Sequence, residues 1–330
     1  MKKILLSTLL LGAMCTGAYA QNGDVVPKEG RGWYIKGGAS YFFSITPGEY
    51  PNVGEYQPYS TKGNLVNPAT GARDTTYMKN LTGSFGEGVR GGISGGYMFN
   101  KTFGIEVDVN YFKSIKNLMS ADQVSAGGNV IASRTSNGYV QALTIAPSLV
   151  FALPIEGKFK PYTRFGFVVP VWGRLMIESS GVKPGKILDP TSPLYLQDIR
   201  TEVTRTEKIN PKPTVGFQGA LGFNYAIMPK FGIYAEAEYR NIPVGSKDKE
   251  ITEYSQVTKL AANGTVIQTK GLSDLKTAER YTNYQTELGP TSNNHITNKT
   301  SFDNNKPMDD NKSYINIGGL GISVGVKYNF

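Results

Sequence analysis

Cysteine, histidine and tryptophan are almost missing from this chain: one, one and two among 330 residues. The single cysteine, Cys15, falls inside an apolar leader, so the rest of the chain has no disulfide and must be held by backbone pairing and packing alone. The single histidine, His295, lies in the polar run SNNHITNKT, where an imidazole is ordinarily just solvated; a Ser–His–acid arrangement would need loop folding alone to assemble it. No run of five or more like charges occurs. The formal net charge of +9 is therefore spread thin, which argues against a nucleic-acid or polybasic membrane patch. The run DNNKPMDDNK has three carboxylates but lacks the glycine and terminal glutamate of a calcium loop, and no cofactor is expected. Long apolar runs are missing too: past the leader the best is YVQALTIAPSLVFALPI, broken by Pro147 and Pro154 and too short for a spanning helix.

What is present begins with the leader. MKKILLSTLLLGAMCTGAYA has a basic start, an apolar stretch from Ile4 to about Met14 and small residues at Ala18 and Ala20, the pattern of a secretory signal peptide over residues 1–20. Its apolar stretch is short for a membrane anchor, and Met14 is a poor neighbour for a lipid-modified Cys15. Beyond it, 39 glycines, 20 tyrosines and 15 phenylalanines accompany a period-two alternation in segments of roughly ten residues. In FGIEVDVNYF, Phe103, Ile105, Val107, Val109 and Tyr111 share one face, and Glu106, Asp108 and Asn110 the other. FGIYAEAEYR, KPYTRFGFVVPVW and VGFQGALGFNYAI alternate in the same way. Four weaker segments, 33–43, 89–99, 139–151 and about 314–330, bring the number to eight. Tight connectors (NKT, LPIEGK, MPK) alternate with long ones at about 44–88, 113–138, 174–213 and 243–313, which describes an all-β, antiparallel, up-and-down barrel with unlike ends over residues 32–330. A soluble barrel would put its apolar face inside. Here aromatics gather at strand ends and charges sit mid-strand opposite apolar faces, so the apolar face is expected to meet lipid.

The chain ends on GISVGVKYNF, with Val324, Val326, Tyr328 and Phe330 on one face. An aromatic terminus on an alternating last strand resembles the signal that the outer-membrane insertion machinery reads, and the whole pattern resembles the small eight-stranded outer-membrane barrels (the transmembrane domain of OmpA, OmpX, OmpW). With the last strand at Phe330, the peptidoglycan-binding domain of full OmpA is not expected. The resemblance implies the outer membrane of a Gram-negative bacterium, a periplasmic segment over 21–31, short periplasmic turns, long extracellular loops, and contact with lipid and lipopolysaccharide.

An eight-stranded barrel is just wide enough to be filled by its own side chains. The inward faces offer Lys36, Arg90, Arg164, Arg240 and Lys327 against Glu106, Asp108, Glu236 and Glu238. Counted from the tight turns, Asp108, Arg164 and Glu236 fall at one depth, and reflection across each turn sets Ser94 and Gly96 beside Asp108 and Glu106, Ala220 and Gly222 beside Glu238 and Glu236. The small neighbours should leave room for a guanidinium from across the lumen. A salt-bridged plug is the expectation; a gated ion path and acid–base chemistry are the alternatives, the latter lacking a cleft. In the loops, YSQVTKLAANGTVIQTK predicts a hairpin turning at Asn263-Gly264. LMIESSG and DIRTEVTRTEKI predict strand extensions above the membrane, or else ten or more strands. The functional expectation is a non-enzymatic barrel whose loop domain serves surface interaction, with an unnamed extracellular partner, or envelope structure. A narrow porin or small-solute transporter is the alternative, and a barrel-embedded hydrolase comes third.

Overall fold

The structure, a computed structural model, describes residues 30–330 apart from 46, 68–70 and 213. The expected signal peptide and nearly all of segment 21–31 lie outside the described residues. Among the described residues the main sheet has 17 strands, and eight of them form a consecutive series of pairings: β1 Gly32–Phe43, β2 Gly88–Met98, β3 Phe103–Ser114, β4 Asn129–Ala152, β5 Phe159–Lys186, β6 Gly216–Ala226, β7 Phe231–Asn241 and β8 Leu320–Asn329. Each pairs antiparallel with its neighbour in this order. The last then pairs with the first, Gly37 opposite Val326 and Ala39 opposite Val324, so the cycle of pairings closes and neither strand is left as an edge.

The two faces of this ring follow from the alternation. Along β3, Ile105, Val107, Val109 and Tyr111 are about 40% exposed, while Glu106 and Asp108 are 1% and 3% exposed. The apolar residues cover the outside and the charges are inside, the inverse of a soluble barrel. Aromatics ring the outer surface at the tight-turn end, where Trp33 packs on Tyr97, Phe103 on Phe151, Phe151 on Phe165, and Phe159 on Phe223. Among the described residues no helix is long and apolar enough to cross a membrane.

Most ring strands are ten to twelve residues long, the length a tilted strand needs to cross a bilayer. Strands β4 and β5 run to 24 and 28 residues and reach about 80–90 Å if fully extended, so they continue far past the ring. Their upper halves pair together, Met176 opposite Tyr139 and Ser179 opposite Ser136. A strand at Asp198–Pro211 joins β5 on its other side, and Pro243–Leu260 extends that sheet further. The second of these continues into a hairpin with Val266–Gly271, turning where Gly264 takes a φ of 72°. A hairpin of Tyr59–Asn67 and Ala72–Asn80 docks by parallel pairing onto Asn117–Ala126, which itself pairs with β4. One boundary differs from expectation. β8 begins at Leu320, not near Tyr314, because Tyr314–Asn316 leaves to pair with Pro243–Gly245. At the break, a side chain on Gly318 would strike the backbone of Arg240 at 2.2 Å.

Candidate functional site

The interior of the ring is ionic at mid-height. β1 supplies Lys36, β2 Arg90, β3 Glu106 and Asp108, β5 Arg164, and β7 Glu236, Glu238 and Arg240; each is at most 6% exposed. The register places Ser94 opposite Asp108, Gly96 opposite Glu106, Ala220 opposite Glu238 and Gly222 opposite Glu236, the pairs obtained by counting from the turns.

Arg164 is the hub. Its Nη1 donates to Asp108 Oδ2 at 2.7 Å, and its Nη2 donates to Glu236 Oε2 at 2.8 Å and Glu238 Oε2 at 3.1 Å. Glu106 Oε1 lies 3.8 Å from its Nε. Below, Lys36 Nζ donates to Glu106 Oε1 at 3.0 Å and Glu236 Oε1 at 2.9 Å. Above, Arg90 grips Glu238 with two parallel bonds of 2.7 and 2.6 Å, the planar fork geometry that Lys cannot supply. Arg240 approaches Glu238 Oε1 at 3.4 Å and donates to Thr144 Oγ1 at 3.4 Å. Four cations therefore face four carboxylates, and the mid-lumen layer is neutral. The cavity left around it is about 10 Å³, room for one water.

Lys327 departs from this group. It lies directly opposite Lys36 in the ladder, so two like charges must part. Lys36 turns up into the carboxylates. Lys327 turns the other way, its Nζ 3.9 Å from the centre of the Tyr34 ring.

The small residues beside the carboxylates also work differently from expectation at two positions. The room at Gly96 is taken by the phenol of Tyr34, which an added side chain would meet at 2.2 Å, and the room at Gly222 is shared by Glu236 and Tyr162. Both phenols donate into the network, Tyr34 to Glu106 and Tyr162 to Glu236. Gln218 Nε2 donates to Asp108 Oδ2 at 3.0 Å. Tyr162 and Gln218 sit on the inward parity of their strands, so the alternation was the signal that could have found them. Ser94, beside Asp108, donates its hydroxyl to that carboxylate.

A second closure lies above the ionic layer. Val140, Ala142, Ala146 and Val168 of the ring meet Tyr50, Val53, Phe85, Met119 and Ile317 from the connectors in one buried apolar cluster. Phe85 and Met119 are 1% and 0% exposed, although both come from polar loops. Isolated large apolar residues in GSFGEG and NLMSAD were the sequence trace of this cap. Elsewhere, His295 stacks on Phe302 with ring centroids 3.5 Å apart. Asp309 accepts hydrogen bonds from the Asn293 backbone, and Asp303 from that of Asn305. Among the described residues no group of three or more His, Cys, Asp or Glu could hold a metal ion.

In the outer sheet, the exposed Lys116 donates to Glu178 at 2.7 Å, and this bond raises the lysine pKa. Glu250 is held below its usual 4.5, first by the bond from Lys208 and further by Arg280. The bond from Lys259 lowers Glu202 in the same way. Cross-strand ion pairs thus knit the polar faces of the extension.

Known proteins give three comparisons. The crystal structure of the outer membrane protein OprG from Pseudomonas aeruginosa aligns over 92% of this chain and 97% of its own at 12% identity, with a TM-score of 0.39. The solution structure of the Escherichia coli outer membrane protein W aligns over 92% and 99% at 12% identity, with a TM-score of 0.28. The Ralstonia pickettii toluene transporter TbuX aligns over 92% and 90% at 9% identity, with a TM-score of 0.17. No curated protein sequence matches. The family model for the outer membrane protein beta-barrel domain matches residues 6–258, most of the chain. With an apolar outside, a charged inside and that match, the chain belongs to the outer-membrane β-barrel family.

Proposed function

We propose that this protein is a closed eight-stranded outer-membrane barrel that presents a strand-built extracellular domain for surface interaction or envelope structure, and that it performs no catalysis. One observation carries the reading: the axis is shut twice, by the neutral ionic layer around Arg164 and by the apolar cap above it. A solute following the axis would have to break buried ion pairs and then unpack Phe85 and Met119. Those interactions cost too much to open on a conduction timescale without a ligand that rewards opening.

The tight turns then face the periplasm and the extended sheet faces outside. Protease added to intact cells is expected to cut within 243–313 and to spare the turns at 100–102 and 228–230; cutting at the turns would reverse the orientation. Lipid and lipopolysaccharide cover the apolar belt, and the insertion machinery recognises Val324, Val326, Tyr328 and Phe330 on β8. The test of closure is single-channel recording of the refolded chain in planar bilayers. No steady conductance is expected, whereas a sizeable ohmic conductance would overturn the reading.

A second reading, sideways passage of a small apolar solute, draws on a specific feature of the wall. β5 pairs with β6 up to Val168 and with Asp198–Pro211 from Leu175 onward; among the described residues no ladder pair joins 169–174 to 210–215. Pro170 and Pro211 have no N–H to give there, and a bulge separates Pro170 from Trp172. The gap opens on a cavity of about 40 Å³ lined by Leu175, Val244 and Ile315 among others. That volume suits water better than an organic solute, which places this reading second.

A further inference from the structure

Below the ionic layer, at the tight-turn end, the lumen opens into a cup of about 350 Å³. Its roof is the Lys36–Glu106 pair, and its wall and rim carry Lys327, Lys160, Lys158 and Lys101. Among the described residues the one side-chain carboxylate lining it is that of Glu106, already bonded by Lys36 and Tyr34. Among the described residues no ion pair joins Lys158, Lys160 or Lys327. The cup is therefore basic, although the layer above it is balanced.

Two details show that the imbalance is built into the wall. Lys327 points into the cup because the ladder sets it against Lys36, and its ammonium rests on a tyrosine face, not on an acid. Asn224 lines the same space, and its Oδ1 is buried without a hydrogen-bond partner. Turning that amide over presents Nδ2 as a donor to whatever fills the cup. A closed-ended space with several ammonium groups, one spare amide and, among the described residues, a single occupied side-chain acid is electrostatically focused on anions.

We propose that this cup is a binding site for a phosphate group, carried by a small phosphate ester or by a phospholipid head. Phosphate offers tetrahedral oxygens to several ammonium groups at once, whereas a monocarboxylate would leave most of them unanswered. The volume accommodates a phosphate with a short organic remainder. The site does not depend on whether the barrel conducts or on which compartment it faces.

The full chain, refolded in a neutral detergent at low salt, is titrated with inorganic phosphate by calorimetry. In parallel, micelles doped with phosphatidylglycerol are analysed by mass spectrometry for retained lipid. Saturable phosphate binding supports the site with a soluble source, and lipid retention without phosphate binding supports it with a lipid source. In either case Lys160→Gln with Lys327→Gln is expected to weaken binding about tenfold or more. Lys270→Gln, on the outer hairpin, is expected to change nothing. Asn224→Asp, which keeps every lysine but adds a negative charge to the cup, is expected to abolish binding while the protein stays folded. Absence of both binding modes, or equal binding by wild type and the double variant, overturns the proposal.

Discussion

Replacing Arg164 by alanine removes the one side chain that reaches three carboxylates at once, at 2.7, 2.8 and 3.1 Å. The carboxylates do not suffer equally. Glu236 keeps Lys36 at 2.9 Å and Glu238 keeps Arg90 at 2.6 Å. Asp108 has no other cation within ion-pairing distance among the described residues; what remains to it is Gln218 at 3.0 Å and Ser94 at 2.5 Å. The variant thus leaves a net negative charge in a layer whose free volume with Arg164 present is about 10 Å³, so the water that can screen it is limited to what the vacated side-chain space admits. Breaking one side of a buried pair costs about 3–5 kcal/mol, and that is the expected loss. Urea unfolding in micelles, followed by the fluorescence of the two tryptophans, reads it directly. Removing the orphaned charge should restore much of the loss. Asp108→Asn in the Arg164→Ala background is expected to rescue more than Glu236→Gln, because Glu236 still has a lysine. A double-mutant cycle isolates the Arg164–Asp108 coupling. A loss of about 1 kcal/mol or less with near-zero coupling would refute the argument, since that is what a hydrated, screened lumen would give.

The cap should be testable apart from the ionic layer. Phe85→Ala is expected to cost about 3–5 kcal/mol and to expose 44–88 to protease, yet to leave the barrel non-conducting because Arg164 still bars the axis. Acid should loosen the outer sheet before the ring. Glu250 and Glu202 have folded pKa values below the usual 4.5, so their contribution is present above that value and is lost as pH falls through the lowered one. Both are only partly buried and screened by solvent, so the effect is small, seen as faster proteolysis of 198–260 as pH falls below 4.5 with the ring fluorescence unchanged. Phe330 is 60% exposed and tied mainly by its backbone N–H to the Trp33 carbonyl at 3.1 Å. Deleting it should therefore change the unfolding midpoint of refolded protein little while sharply reducing the amount that reaches the membrane; normal surface levels would count against an insertion role.

How far the sequence could be read depended on what constrained each part of it. In the ring, a slip of one residue would turn Glu106 and Asp108 outward and Val107 inward, so alternation alone decides the facing. Tight turns then fix the register, which is why Ser94 could be set opposite Asp108 by counting. The long connectors obey neither constraint. Their strands are polar on both faces, and Tyr59–Asn67 pairs in parallel with Asn117–Ala126 across a separation that no turn geometry dictates. The cap was hidden for the same reason: Phe85 between glycines has no periodic partner, and its burial shows only once Met119 and Ile317 arrive from two other connectors. Lys327 shows where facing and height come apart. Its inward parity was legible, but its position opposite Lys36 required the closing pair of strands, and that pairing separates the two ammonium groups. One lysine completes the neutral layer and the other is left to the cup below. The same closure that removes the sheet edges therefore divides the lumen into a sealed centre and a basic mouth, so substitutions at Lys36 should act on stability and substitutions at Lys327 on anion binding.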